Sequence, residues 1–111
     1  MWLAEAADGQ LLTLKFQKCH RKVQGFIIQN SGFKSQHSRR DTRRFRVTGD
    51  QQLAGPWETL VEKELEDLED TPPPVLTFYF TPRNLRFIRF HLLSFWGNSG
   101  GLRYFYPITG I

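Results

Sequence analysis

The sequence predicts an all-β fold, an antiparallel sandwich or barrel, and three observations predict it. Apolar residues recur at period two in several short stretches. Glycine, proline and asparagine punctuate those stretches at short intervals, and no helical segments alternate with them. Aromatic residues make up 14% of the 111 residues, ten of them Phe, and aromatic side chains favour the pleated, half-buried surface of a strand.

Taken in order, Gln10 to Phe16 places Leu12, Leu14 and Phe16 on one face of a first strand. Lys22 to Gln29 is β-branched and aromatic, and Asn30-Ser31-Gly32 closes it with a turn signal. The polar run from Ser31 to Asp41 reads as a loop. Arg44 to Thr48 alternates charge with Phe45 and Val47, and Gly49, Asp50, Gly55 and Pro56 punctuate the next loop. Val75 to Phe80 and Leu85 to Leu93 are the strongest strands, joined by a connection holding Pro82 and Asn84. Gly97-Asn98-Ser99-Gly100-Gly101 is a turn tolerant of positive φ, and Leu102 to Ile108 is the last strand. Glu58 to Asp70 stays open between two forms. Val61, Leu65 and Leu68 share a helical stripe, charge favours neither form, and Thr71 precedes three prolines that end either one.

A chain of this length fits one domain, residues 1–111, able to bury roughly two-thirds of the surface of its unfolded form. No apolar run approaches the roughly 18 residues that span a bilayer, and Met1 to Glu5 lacks the basic and apolar regions of a secretory signal. Cys19 is the lone cysteine, so neither an internal disulfide nor a thiolate zinc site is available. His20 adjoins it, but neighbours in an extended chain point to opposite faces, which argues against a Cys/His nucleophile.

Charge is unevenly spread beneath the net value of +4. Lys34, Arg39, Arg40, Arg43, Arg44 and Arg46 crowd one stretch; Glu58, Glu62, Glu64, Glu66, Asp67, Glu69 and Asp70 crowd another. Either the two blocks neutralise each other, or the basic block meets an anionic partner through bidentate guanidinium contacts. No nucleic-acid motif accompanies the arginines. For catalysis, a general-acid carboxylate needs an apolar pocket shared with a second one, and nothing pairs two carboxylates in that way. His91 lies in a strand and reads as structural; His37 lies in the basic loop. No His, Asp or Glu cluster has transition-metal spacing. The chain therefore reads as a binding module rather than an enzyme.

Several segments together resemble the discoidin family, also called the coagulation-factor type C domain. They are Val23 to Asn30, Thr42 to Val47, Gly55-Pro56-Trp57, Arg86 to Gly97 and Gly100 to Phe105, with Trp2 similar to that family's early tryptophan. The resemblance implies a galactose-binding-like jelly roll of two antiparallel sheets, a short strand after Trp57 followed by an acidic loop, and an extracellular or cell-surface setting. Family domains carry a further segment upstream of that tryptophan, so the resemblance implies an N-terminally incomplete domain. The apolar spikes with which some members enter lipid fall in that segment, so membrane binding is not carried over. A structural calcium ion is common in the family, but no acidic loop here matches a ligand pattern. Arg39-Arg40-Asp41 with Arg46 imitates a fucose-lectin pattern, but it starts nine residues too late after Asn30, and the matching histidine is absent.

A glycan partner fits the remaining residues best. A sugar ring is held by an aromatic face and a few directional donors, and Arg39, Arg40, Arg43, Trp96, Asn98 and Arg103 supply those types. Trp96 is equally compatible with anchoring the last turn as a core residue. The alternatives are a protein–protein adhesion module using the Arg-rich loop and exposed aromatics, or binding to acidic lipid.

Overall fold

In the computed structural model the described residues are 2–4, 10–16, 21–35, 38–52, 54–67, 72–97 and 100–109. Nine strands run through them: β1 (Trp2–Ala4), β2 (Gln10–Lys15), β3 (Arg21–Asn30), β4 (Phe33–Ser35), β5 (Ser38–Asp50), β6 (Glu58–Glu64), β7 (Val75–Leu85), β8 (Phe87–Gly97) and β9 (Gly100–Thr109). They form two antiparallel sheets, a four-stranded one in the order β1-β9-β3-β7 and a five-stranded one in the order β2-β8-β5-β4, with β6 also on β5. The described residues hold no helix. This is the all-β jelly-roll sandwich expected.

Alternation builds the core. On β3 the side chains of Val23, Phe26 and Ile28 turn inward; on β5, Phe45 and Val47; on β8, Ile88, Phe90 and Leu92. Five phenylalanines knit the sheets together. Phe26, Phe78 and Phe105 come from the four-stranded sheet, and Phe45 and Phe90 from the other. Their ring centroids lie 5.3–6.0 Å apart, the spacing of stacked and edge-on pairs.

Two departures from the expected boundaries, and the strand that the resemblance implied after Trp57, have physical causes. The polar run is not a loop: Phe33 to Ser35 and Ser38 to Arg40 pair as the arms of a hairpin, and β5 then continues to Asp50. Pro82 lies within β7 rather than in a connection. β7 is an edge strand, and between the pairs Val23↔Arg83 and Gly25↔Tyr79 its residues 80–82 face Gln24 alone. A proline there removes no ladder hydrogen bond. Glu58–Glu64 is a strand. Its register sets Glu64 opposite Arg44 and Glu62 opposite Arg46, and the salt bridges Arg43–Glu64 (3.0 Å), Arg44–Glu62 (3.5 Å) and Arg46–Glu62 (2.7 Å) follow. The basic and acidic blocks thus face one another across β5 and β6. Each exposed pair contributes about 0–1 kcal/mol, so the pairs specify register more than they add stability.

His91, on β8, is structural in this fold. Its Nε2 lies 2.8 Å from Thr48 Oγ1, and burial, then Arg89 and Arg46, push its pKa below the usual value of 6.5. The folded state therefore resists protonation that the unfolded chain accepts. Stability present above pH about 6.5 should be lost as pH falls toward the depressed folded value. Thermal melts between pH 7.5 and 5 should show a falling Tm, and His91→Gln should flatten that slope. A parallel slope in the variant would contradict the assignment.

Candidate functional site

One end of the sandwich gathers the ends of β3, β6 and β8 and the starts of β7 and β9, and most of the expected binding residues lie there. The organiser is a hydrogen-bonded frame that starts at Asn30. Its carboxamide donates to Thr42 O (2.9 Å) and accepts from the backbone N–H groups of Ser31 (2.9 Å) and Thr42 (2.7 Å). Thr42, fully buried, donates through Oγ1 to Gly101 O in the other sheet at 2.7 Å. Gly32 turns the chain with φ 63°, and its N–H donates to Asp41 Oδ1 at 2.8 Å.

On this frame Arg39 is held by two carboxylates. Its Nε donates to Asp41 Oδ2 at 3.2 Å, and its Nη2 pairs with Asp67. The bond to Asp67 leads the causes that raise the Arg39 pKa above its ordinary value, with Asp41 adding to it against the opposing effect of burial. Gly97, φ 88°, lets β8 pass close to Arg39: a Cβ there would lie 2.8 Å from Arg39 Cβ.

Two β-bulges aim the next side chains. Between the pairs Thr42↔Phe95 and Arg44↔Ser94, β5 carries one extra residue, Arg43. Between Gln29↔Tyr104 and Asn30↔Leu102, β9 carries one extra residue, Arg103. A bulge re-aims the residue it inserts, and both arginines are exposed. The Arg43 guanidinium stacks 4.6 Å from the Trp96 ring centroid, and its Nε bonds Glu64 Oε1 at 3.0 Å. Trp96 is half-buried and donates from Nε1 to Leu65 O at 3.2 Å. Because Phe95 packs against the core, its neighbour Trp96 lies on the outer face of the sheet. Trp96 is thus not a core residue, and the indole is fixed in place. Arg103 reaches back over the β3–β4 turn, where a Cβ on Gly32 would be 3.8 Å from its Nη2.

The structure brings Arg39, Arg43, Trp96 and Arg103 to this end. It corrects their setting: Arg39, Arg40 and Arg43 lie on β5, not in a loop, because that segment pairs with β4, β6 and β8. Arg40 sits half-buried opposite Phe33 in the hairpin. Asn98, Cys19, His20 and His37 lie outside the described residues. Asp41 and Asp67, which position Arg39, were not among the expected site residues. An acid two residues after an arginine in a stretch otherwise polar on both faces was the available signal for Asp41; Asp67 had none.

The fold has counterparts of known structure. GH31 CBM32-2, in an X-ray structure bound to GalNAc, aligns with a TM-score of 0.64 at 14% identity over 93% of this chain and 66% of that one. CBM32-1 from a family 31 glycoside hydrolase from Clostridium perfringens aligns with a TM-score of 0.63 at 16% identity, covering 93% and 71%. The fold is the galactose-binding-like jelly roll. The chain spans about two-thirds of the length of these domains. No family model matches the sequence, and neither does any curated protein.

Proposed function

We propose that this chain is a non-catalytic carbohydrate-binding module of discoidin type, recognising a galactose-type sugar at the Trp96–Arg103 end of the sandwich. The observation that carries the reading is the pairing of a fixed indole with bulge-borne, exposed arginines on a rigid frame, in a fold shared with a domain bound to GalNAc. The indole supplies apolar surface for sugar C–H groups, and Arg103 and Arg43 supply donors for hydroxyl or acetamido oxygens. Arg39 serves as a positioning residue, since its charge is already engaged by Asp41 and Asp67. Glycan-array binding with competition by free sugar tests this. Arg103→Ala should weaken binding at least about tenfold, the loss of one good directional contact, and leave the Tm unchanged. An array with no retained glycan would overturn it.

A protein–protein adhesion role has one observation in its favour. The outer face of the four-stranded sheet exposes Tyr79 (70%), Tyr106 (59%) and Tyr104 (44%), with Val75 beside them at 59%. Tyr104 and Tyr106 stack at 6.0 Å. Exposed tyrosines of this kind anchor interfaces. Under that reading Tyr106→Ser abolishes partner binding, and Arg103→Ala does not.

A further inference from the structure

The sheet edges are not guarded alike. β1 and β4 are three residues long. β2 ends in Lys15, and β6 carries Glu58, Glu62, Lys63 and Glu64. Shortness and charge are the ordinary protection against strand-to-strand association. β7 has neither. Among the described residues it pairs with β3 alone, and from Val75 through Thr81 it holds no charge, glycine or proline, only β-branched, aromatic and leucine side chains. Its ladder to β3 is regular from Val75 to Tyr79, opposite Gln29 to Gly25, with Pro74 before it and the bulge at residues 80–82 after it. The Phe78 carbonyl points at β3, since a Cβ on Gly25 would strike its oxygen. Successive residues of an antiparallel strand turn their N–H and C=O groups to opposite sides. Those of Val75, Thr77 and Tyr79 therefore point out from the sheet edge.

We propose that β7 pairs antiparallel with β7 of a second copy of this chain, about a two-fold axis at Thr77. Thr77 then lies opposite the second copy's Thr77, Val75 opposite its Tyr79 and Leu76 opposite its Phe78. Outward backbone groups meet outward backbone groups, and the register is self-complementary, as a two-fold contact requires. Thr–Thr and aromatic–β-branched pairs are among those that stabilise a ladder, and the exposed Val75 and Tyr79 side chains cover one another. Charge does not oppose the approach. Arg83, the nearest charge along β7, is paired with Glu58, and Glu62 and Glu64 of β6 are held by arginines of their own chain. Five paired residues bury less than the roughly 1,000 Å² of a stable interface. The dimer is therefore weak, with a dissociation constant on the order of 0.1 mM, and dilute samples hold the monomer. Neither the sugar site nor a partner on the tyrosine face is needed for this pairing.

Sedimentation of the whole chain from about 10 μM to about 1 mM brackets that constant. The weight-average mass should rise from 13.0 kDa toward twice that value, and added salt should not weaken the association. Amide exchange read by NMR gives the register. The Thr77 and Tyr79 N–H groups, open in the dilute monomer, should exchange severalfold more slowly at the highest concentration, whereas those of Leu76 and Phe78 should be slow throughout. Thr77→Lys, at an exposed position, sets two ammonium groups face to face and should weaken association at least about fivefold. Tyr106→Ser, on the same outer face but across β3, should associate as the parent does. The exchange pattern of the parent decides the matter if Thr77→Lys fails to fold. A mass fixed at 13.0 kDa throughout, Thr77 and Tyr79 exchange independent of concentration, association unaltered in Thr77→Lys, or association lost in Tyr106→Ser would overturn the proposal.

Discussion

Phe26→Ala should cost about 3–5 kcal/mol and lower the unfolding midpoint sharply. The ring is fully buried on the central strand of its sheet and touches Phe45, Phe78 and Phe105, one of them in the opposite sheet. Deleting it opens a cavity between the layers that rigid strands cannot close, because each neighbour is held by its own ladder bonds. A domain of this size has a total stability of about 5–15 kcal/mol, so one side chain carries a large share. Phe26→Leu should lose less than Phe26→Ala. Tyr79→Ser, on an exposed aromatic, should stay within about 0.5 kcal/mol of the parent. Urea unfolding of the three variants measures all of this. A Phe26→Ala midpoint equal to the parent's would mean that the two sheets do not share this core.

Asp41→Ala should cost about 2–3 kcal/mol and remove glycan binding as well. The side chain is 12% exposed and closes the frame from two sides, accepting from Gly32 N–H and from Arg39 Nε. Truncation leaves the Gly32 N–H without its acceptor inside a tight turn. It also takes the Asp41 carboxylate from the Arg39 guanidinium, itself 15% exposed. Asp41→Asn retains an acceptor for Gly32 and gives up only the charge, so its cost should be nearer 1 kcal/mol. Denaturant melts separate these outcomes, and titration with sugar reads the second effect. A stable Asp41→Ala domain with full affinity would show that the frame does not position the site.

How much of this could be read from the chain itself depends on where the ordering information resides. β3, β8 and β9 announce themselves because their inward residues, such as Ile88, Phe90 and Leu92, are apolar at period two. β5 is legible only from Arg44 onward. Ahead of that its inward position is Thr42, buried through a bond to Gly101 rather than by hydrophobicity, and the bulge at Arg43 breaks the alternation. At Glu58–Glu64 local periodicity leaves helix and strand open and only the resemblance implied the strand; pairing with β5, in a register that sets Glu62 and Glu64 opposite Arg46 and Arg44, is a long-range fact that periodicity does not carry. The site follows the same division. Arg39, Arg43, Trp96 and Arg103 are recognisable by residue type. Asp41 is tied to Gly32, nine positions earlier, and Asp67 meets Arg39 across 28 positions; contacts of that kind exist only once the sheets have paired.

The proposed sugar site lies where a fixed indole and exposed guanidinium groups meet at one end of the sandwich. The most direct measurement is an ¹⁵N–¹H correlation titration of the labelled chain with GalNAc. The account predicts saturable shifts at Arg39 to Arg43, Leu65 to Asp67, Gly101 to Arg103 and the Trp96 indole N–H, while the Tyr79–Tyr106 face stays unmoved. A spectrum unchanged at millimolar sugar, or shifts confined to that tyrosine face, would contradict it.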